Sequence, residues 1–316
     1  MTKRGLEVLE AGLLTTVQDL GRPGWGALGI PAAGALDDEA LRLANALVGN
    51  PAGAAGLEIT LLGPTLRARG NVAIAVVGGE FGPAPDRVLS LADGESVALR
   101  ARDPSRGAAR AVVAVAGGVD VPVLLGSRST CVVARFGGLH GWPLRRGDEL
   151  PVGAAVGVPG ADAAAAALEP LPWSGEVTLR TVPGPQEHLF GAPALEAFFG
   201  SAFRLLPESN RIGLRLSGPA IRGDAAEIRE LPSEGTALGS VQITADGQPI
   251  VLLNERPTTG GYPKIATVIA ADLGLLVRAR PGAAIRFARV TVEEARRLLA
   301  AREERIGRIA AGKESP

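Results

Sequence analysis

Cysteine, tyrosine, histidine and lysine are all scarce in this 316-residue chain, and each scarcity excludes something. The single cysteine, Cys131, rules out an internal disulfide and suits a reducing compartment. It reads as a small buried hydrophobe. Aromatic residues make up 3% against 46% apolar, so the core must be built from Val, Leu, Ile and Ala. Formal net charge is zero and no basic run occurs, which argues against nucleic acid or an anionic membrane as partner. No apolar run approaches the ~18 residues of a membrane span, and Glu7 and Glu10 interrupt any leader-like stretch. A soluble cytoplasmic protein is expected. The two histidines, His140 and His188, lack a third ligand or an H-E-x-x-H spacing, so no metal site is expected.

Several catalytic signatures are missing as well. There is no G-x-x-x-x-G-K loop followed by Ser or Thr, and no G-x-S-x-G elbow. The run from Gly21 to Gly26 has glycines at the wrong spacing, with no βαβ frame, for a dinucleotide fold. The chemistry left is carboxylate, ammonium, amide and hydroxyl. That set suits binding an amide, urea or carboxylate and stabilising an oxyanion.

What is present is mostly β pattern. A length of 316 residues predicts about two domains. Strands are predicted at 6–14, 15–20, 57–62, 72–77, 88–91, 97–99 and 111–115, separated by Gly-Pro, Gly-Gly and Asp-Gly turns. One amphipathic helix follows Asp37, with Ala40, Leu41, Ala44, Leu47 and Val48 at helical spacing and Gly49 as its stop. Residues 153–170 read as a linker. A second β series follows at 177–182, 203–206, 214–216, 241–243, 250–253, 265–269, 275–278 and 285–287. Thr291 and Glu294 form a capping box for a last helix that carries Ala295, Leu298 and Leu299 inward and frays from Arg302. Short strands at this spacing predict sandwich or barrel architecture, with domains at 1–170 and 171–316.

Polar chemistry concentrates in residues 254–264, Asn-Glu-Arg-Pro-Thr-Thr-Gly-Gly-Tyr-Pro-Lys. Tyr262 is the only tyrosine and Lys264 the only lysine away from the termini; 30 of the 33 basic residues are arginine. An ammonium is a compact, rotatable donor, whereas guanidinium is a planar fork, so a site needing the first is poorly served by the second. Thr258 and Thr259 add hydroxyls. Gly260 and Gly261 allow positive φ or close approach to a ligand. Three further clusters read either as ordinary turns or as binding groups: Gln18 to Arg22, Ser209 to Arg215, and Ser233-Glu234-Gly235 with Gln242 on the next strand. Among them Glu234 is the best carboxylate for a general base.

A family resemblance rests on Gln18-Asp19-Leu20-Gly21-Arg22, on residues 116–122 and 125–130, and on Pro183-Gly184-Pro185-Gln186. It continues through Ser209-Asn210-Arg211, Ser233-Glu234-Gly235 and residues 258–266. Together these resemble the KipA family, which includes the C subunit of bacterial 5-oxoprolinase and the second half of the urea carboxylase carboxyltransferase domain. The resemblance implies a mainly β fold of two β-barrel-like domains, the C-terminal one cyclophilin-like, with a few peripheral helices. Residues 254–257 depart from the Asp-Arg-Gln run usual there.

The function implied is a subunit of an ATP-dependent 5-oxoprolinase that opens the lactam to L-glutamate. ATP with magnesium is the expected cofactor of the complex. The expected partners are a KipI-like B subunit and a LamB/YcsF-type A subunit. In this reading Lys264, Glu234 and Tyr262 are catalytic, with Lys264 neutralising charge that develops on an oxygen. Arg22, Asn210, Arg211, Gln242, Thr258, Thr259, Gly260 and Gly261 bind substrate, the two arginines by holding a carboxylate or phosphate. Two rival functions stay open: a carboxyltransferase component that uses biotin carried elsewhere, and a non-enzymatic binder of a KipI-like kinase inhibitor.

Overall fold

The structure is a computed structural model that describes residues 4–83, 87–101, 107–155, 175–223 and 231–311. Contacts divide it into one unit of Met1–Arg22, Ala33–Pro172 and Glu303–Pro316, and another of Pro23–Ala32 and Trp173–Arg302. Most of the expected linker lies outside the described residues.

The first unit runs β1 (Gly5–Glu10), β2 (Leu14–Gln18), α1 (Asp38–Leu47), β3 (Gly56–Thr60), β4 (Thr65–Arg69) and β5 (Val72–Val77). It continues with β6 (Val88–Leu91), β7 (Ser96–Ala98), β8 (Arg110–Val115) and β9 (Glu149–Pro151). The strands form a four-stranded sheet, β7-β4-β1-β9, and a five-stranded one, β2-β3-β8-β5-β6. Period-two alternation dictates the layering. Ile74, Val76, Val113 and Val115 join Leu6, Val8 and Leu66 of the other sheet in one core, while Ala75, Val77, Val112 and Ala114 pack with α1. Strands β5 and β8 are therefore apolar on both faces, with α1 as the outer cover. Asp37 accepts the Ala40 N–H at 3.0 Å and caps that helix, as its position in the sequence predicts.

The second unit is built around a closed barrel. Its elements are β10 (Glu176–Pro183), α2 (Ala192–Gly200), β11 (Phe203–Leu205), β12 (Gly213–Ser217), β13 (Glu234–Gly235) and β14 (Ser240–Ile243). After them come β15 (Pro249–Leu252), β16 (Thr259–Gly260), β17 (Lys264–Val268), α3 (Leu273–Arg278), β18 (Ala284–Arg289) and α4 (Val292–Ala310). Seven strands close in the order β10-β17-β14-β15-β12-β11-β18, and β18 returns parallel to β10. Phe198 of α2 stacks on Phe287 with ring centres 4.5 Å apart. Strands β13 and β16 pair only with each other, as a two-stranded ribbon.

Two expectations need correction. Residues 275–278, read as a strand, lie in helix α3; the three-residue apolar run Leu275-Leu276-Val277 fits either element, and the tertiary setting decides. Asp272, just before α3, is buried and accepts the Arg180 backbone N–H at 2.7 Å and its Nε at 2.9 Å, which fixes the turn. The last helix does not fray at Arg302. It continues to Ala310; its part from Glu303 onward belongs to the first unit, where Ile306 and Ile309 pack with α1. Arg42 pairs with Glu303 at 2.7 Å, and Arg305 with Glu39.

Candidate functional site

Lys264 opens β17, where its backbone pairs with Gln242 of β14 beside a register shift. That placement turns a lysine inward, to 2% exposure, and an ammonium so deeply buried requires a partner. The partner is Glu234 on the β13–β16 ribbon, whose Oε1 lies 2.8 Å from Nζ. A second contact runs from Nζ to the Tyr262 carbonyl oxygen at 3.5 Å.

Gln186 completes the clamp. Its Nε2 donates to the same Glu234 Oε1 at 2.5 Å, and its Oε1 accepts the Lys264 backbone N–H at 3.1 Å. The approach of the Gln186 segment to β17 depends on Gly184, where a Cβ would come within 2.1 Å of the Lys264 carbonyl oxygen. Glu234 thus has one oxygen gripped by two donors, while Oε2 has no hydrogen-bond partner among the described residues. The side chain is 44% exposed. A carboxylate fixed at one oxygen and open at the other can accept a proton from an amide N–H or a water.

The hydrogen bond from Lys264, followed by that from Gln186, holds the Glu234 carboxyl below its ordinary value of 4.5, against a smaller opposing effect of burial. The group is ionised at neutral pH. Its pairing contributes stability above the unfolded-state value and loses it only as pH falls through the lowered one. With the carboxylate half in solvent, that contribution is at most about 1 kcal/mol. Substituting Gln186→Met is expected to move the Glu234 titration upward toward 4.5, measured by carbon-13 NMR of the side-chain carboxyl. An unchanged titration would mean that Gln186 plays no part in the clamp.

The remaining predicted residues sort by position. Gln242 is buried beside the ribbon, and a Cβ on Gly260 would approach its Nε2 to 3.0 Å. That contact accounts for Gly260; neither it nor Gly261 has positive φ. Thr259 pairs with Gly235, and the Thr258 carbonyl accepts the Thr236 N–H at 3.0 Å. Tyr262 is 49% exposed, and with Gly261 and Pro263 it lines a cavity of about 640 Å³. Lys264 and Glu234 are not on that cavity's wall.

Three predicted ligand-holding residues are occupied by the protein itself. Arg211 is 4% exposed, with Nε 2.6 Å from Oε1 of the buried Glu255. Asn210 accepts the Ile212 and Gly213 N–H groups and shapes its own turn. Arg22, in the first unit, is 1% exposed; Nη2 donates to the Ser129 carbonyl at 2.5 Å and the guanidinium lies over Phe136. Beside it Asp19 accepts from Gly21 N–H, Ser127 Oγ, Arg128 N–H and Ser129 Oγ at 2.5–2.7 Å. Two of the motifs behind the family resemblance therefore bind each other. Sequence reasoning missed Gln186 as a site residue, although its Pro-Gly-Pro-Gln motif was in view. Cys131 is buried, and His140 and His188 are exposed. No group of three or more metal-capable side chains occurs among the described residues, and none of their helices is long and apolar enough to cross a membrane.

A closed barrel with a clamped carboxylate on an outlying ribbon, in one chain with two sheets packed about a shared core, defines a mainly β protein. The chain belongs to the family described as carboxyltransferase domain, subdomain A and B, whose profile matches residues 28–289. It is 40% identical to the C subunit of 5-oxoprolinase from Escherichia coli, over 92% of this chain and 93% of that one. The Haemophilus influenzae protein of the same name is 32% identical over 93% of this chain and 94% of its own. Among solved structures, urea amidolyase from K. lactis superposes with a TM-score of 0.89 at 28% identity; the match covers all of this chain but 20% of that much longer one.

Proposed function

We infer that this chain is a subunit of a 5-oxoprolinase that opens 5-oxoproline to L-glutamate at the expense of ATP. The observation that carries the reading is the 40% identity to the C subunit of a 5-oxoprolinase along nearly the full length of both chains. The geometry supports it chemically. In this reading Glu234 Oε2 accepts the lactam N–H or holds the attacking water, and the exposed Tyr262 hydroxyl helps to position the substrate. Lys264 and Gln186 act through Glu234, as positioning residues. ATP with magnesium supplies the driving force in this reading, and no residue of this chain is assigned to it. The partners are the other components that a C subunit presupposes: a KipI-like B subunit and a LamB/YcsF-type A subunit.

A carboxyltransferase acting on urea or a related amide is the second reading, favoured by the structural match to urea amidolyase. One preparation separates the two. The chain, co-purified with its neighbouring gene products and stripped of biotinylated protein on avidin, is expected to hydrolyse ATP when 5-oxoproline is added. Turnover that depends on urea and disappears with the avidin step would establish the rival.

A further inference from the structure

The cavity beside Tyr262 has a charge asymmetry that the functional reading has not used. Its wall is mixed, apolar at Ile221, Leu231 and Ile243 and polar at Thr244 and Tyr262. One cation, Arg222, stands on it, and no acidic residue lines it among the described residues. Several other arginines of this unit are satisfied internally: Arg180 by Asp272, Arg211 by Glu255, Arg286 by Glu176 and Arg289 by Glu187. Arg222 has no hydrogen-bond or ion-pair partner among the described residues. Arg22 and Arg211, which the sequence offered as carboxylate holders, are buried on protein groups.

We propose that Arg222 is the specificity residue that binds the carboxylate of a small cyclic-amide acid in this cavity. A guanidinium presents two parallel N–H donors that match a carboxylate, and an anion entering this pocket meets no other group of opposite charge on its wall among the described residues. A volume of about 640 Å³ accommodates a five-membered lactam acid with water beside it. The carboxylate end is then held in the cavity and the ring lies against Gly261 and Tyr262 at the edge from which the Tyr262 carbonyl leads through Lys264 to Glu234, which is not itself on the cavity wall. The inference rests on the oxoprolinase reading for its substrate, and it adds the reason for preferring an acid over neutral urea.

The test compares 5-oxoproline with 2-pyrrolidinone, the same ring without the carboxylate. In the reconstituted complex Arg222→Ala is expected to raise KM for 5-oxoproline about ten- to a hundredfold, with kcat nearly unchanged. Arg222→Lys should recover part of the loss, and inhibition by 2-pyrrolidinone should be the same in wild type and variant. An unchanged KM, or an equal weakening of both compounds, would overturn the proposal. Should the wild-type complex show no oxoproline-dependent turnover, the functional reading fails separately. Calorimetric titration of the chain with the two compounds then decides the inference: preference for the acid, abolished by Arg222→Ala, supports it, and equal binding or none refutes it.

Discussion

Lys264→Ala is expected to lower oxoproline-dependent ATP hydrolysis by the reconstituted complex about a hundredfold, the range for disabling a general base. The substitution removes the first donor to Glu234 Oε1 and leaves a void behind the ribbon. A structural role alone would lower activity only as far as the fold weakened, so a second readout is needed. In the proposed mechanism the working form of Glu234 is ionised, so activity is expected to fall as pH drops through its pKa. Lys264 is the main influence lowering that pKa, so in the variant the acid limb of the pH–rate profile should move to higher pH. Near-normal turnover with an unshifted acid limb would remove both Lys264 and its carboxylate from the chemistry.

The second large effect concerns stability. Arg211 and Glu255 form an ion pair buried on both sides, with the guanidinium Nε 2.6 Å from the carboxylate. Arg211→Ala strands a buried carboxylate and should cost about 3–5 kcal/mol in chemical denaturation. The double substitution Arg211→Met with Glu255→Leu should regain most of that loss, because it removes the need for a charge partner. A double variant no more stable than Arg211→Ala would show that the pair contributes more than mutual neutralisation. This pair also gives a physical reading of the departure at residues 254–257: Glu255 faces inward to Arg211.

How much of this was legible depended on the distance over which each signal acts. The strand over Val72–Val77 and the helix after Asp37 were readable because alternation, helical spacing and capping are local. Strand β4 was overlooked although Thr65, Arg67 and Arg69 alternate with the buried Leu66 and Ala68, because two apolar residues make only a short signal. Helix α3 was misread because Leu275, Leu276 and Val277 are too few to show a period. The C-terminal end of α4 was misjudged because its charges outnumber Ile306 and Ile309, whose three-residue spacing was the available clue. At the site, scarcity singled out Lys264 and Tyr262. It could not tell an arginine that holds a ligand from one that holds Glu255 or a backbone carbonyl, since those partners lie 44 and 107 positions away in sequence.

The barrel closes by pairing its first strand with its last, Glu176 alongside Ala284 through Thr181 alongside Arg289. During synthesis the ribosome must release residue 289 before that seam can zip, so the nascent barrel waits as an open sheet with two raw edges. Such an intermediate is a natural client for chaperones. Expression yield of this half should therefore respond more to translation speed and temperature than its finished, edgeless form would suggest.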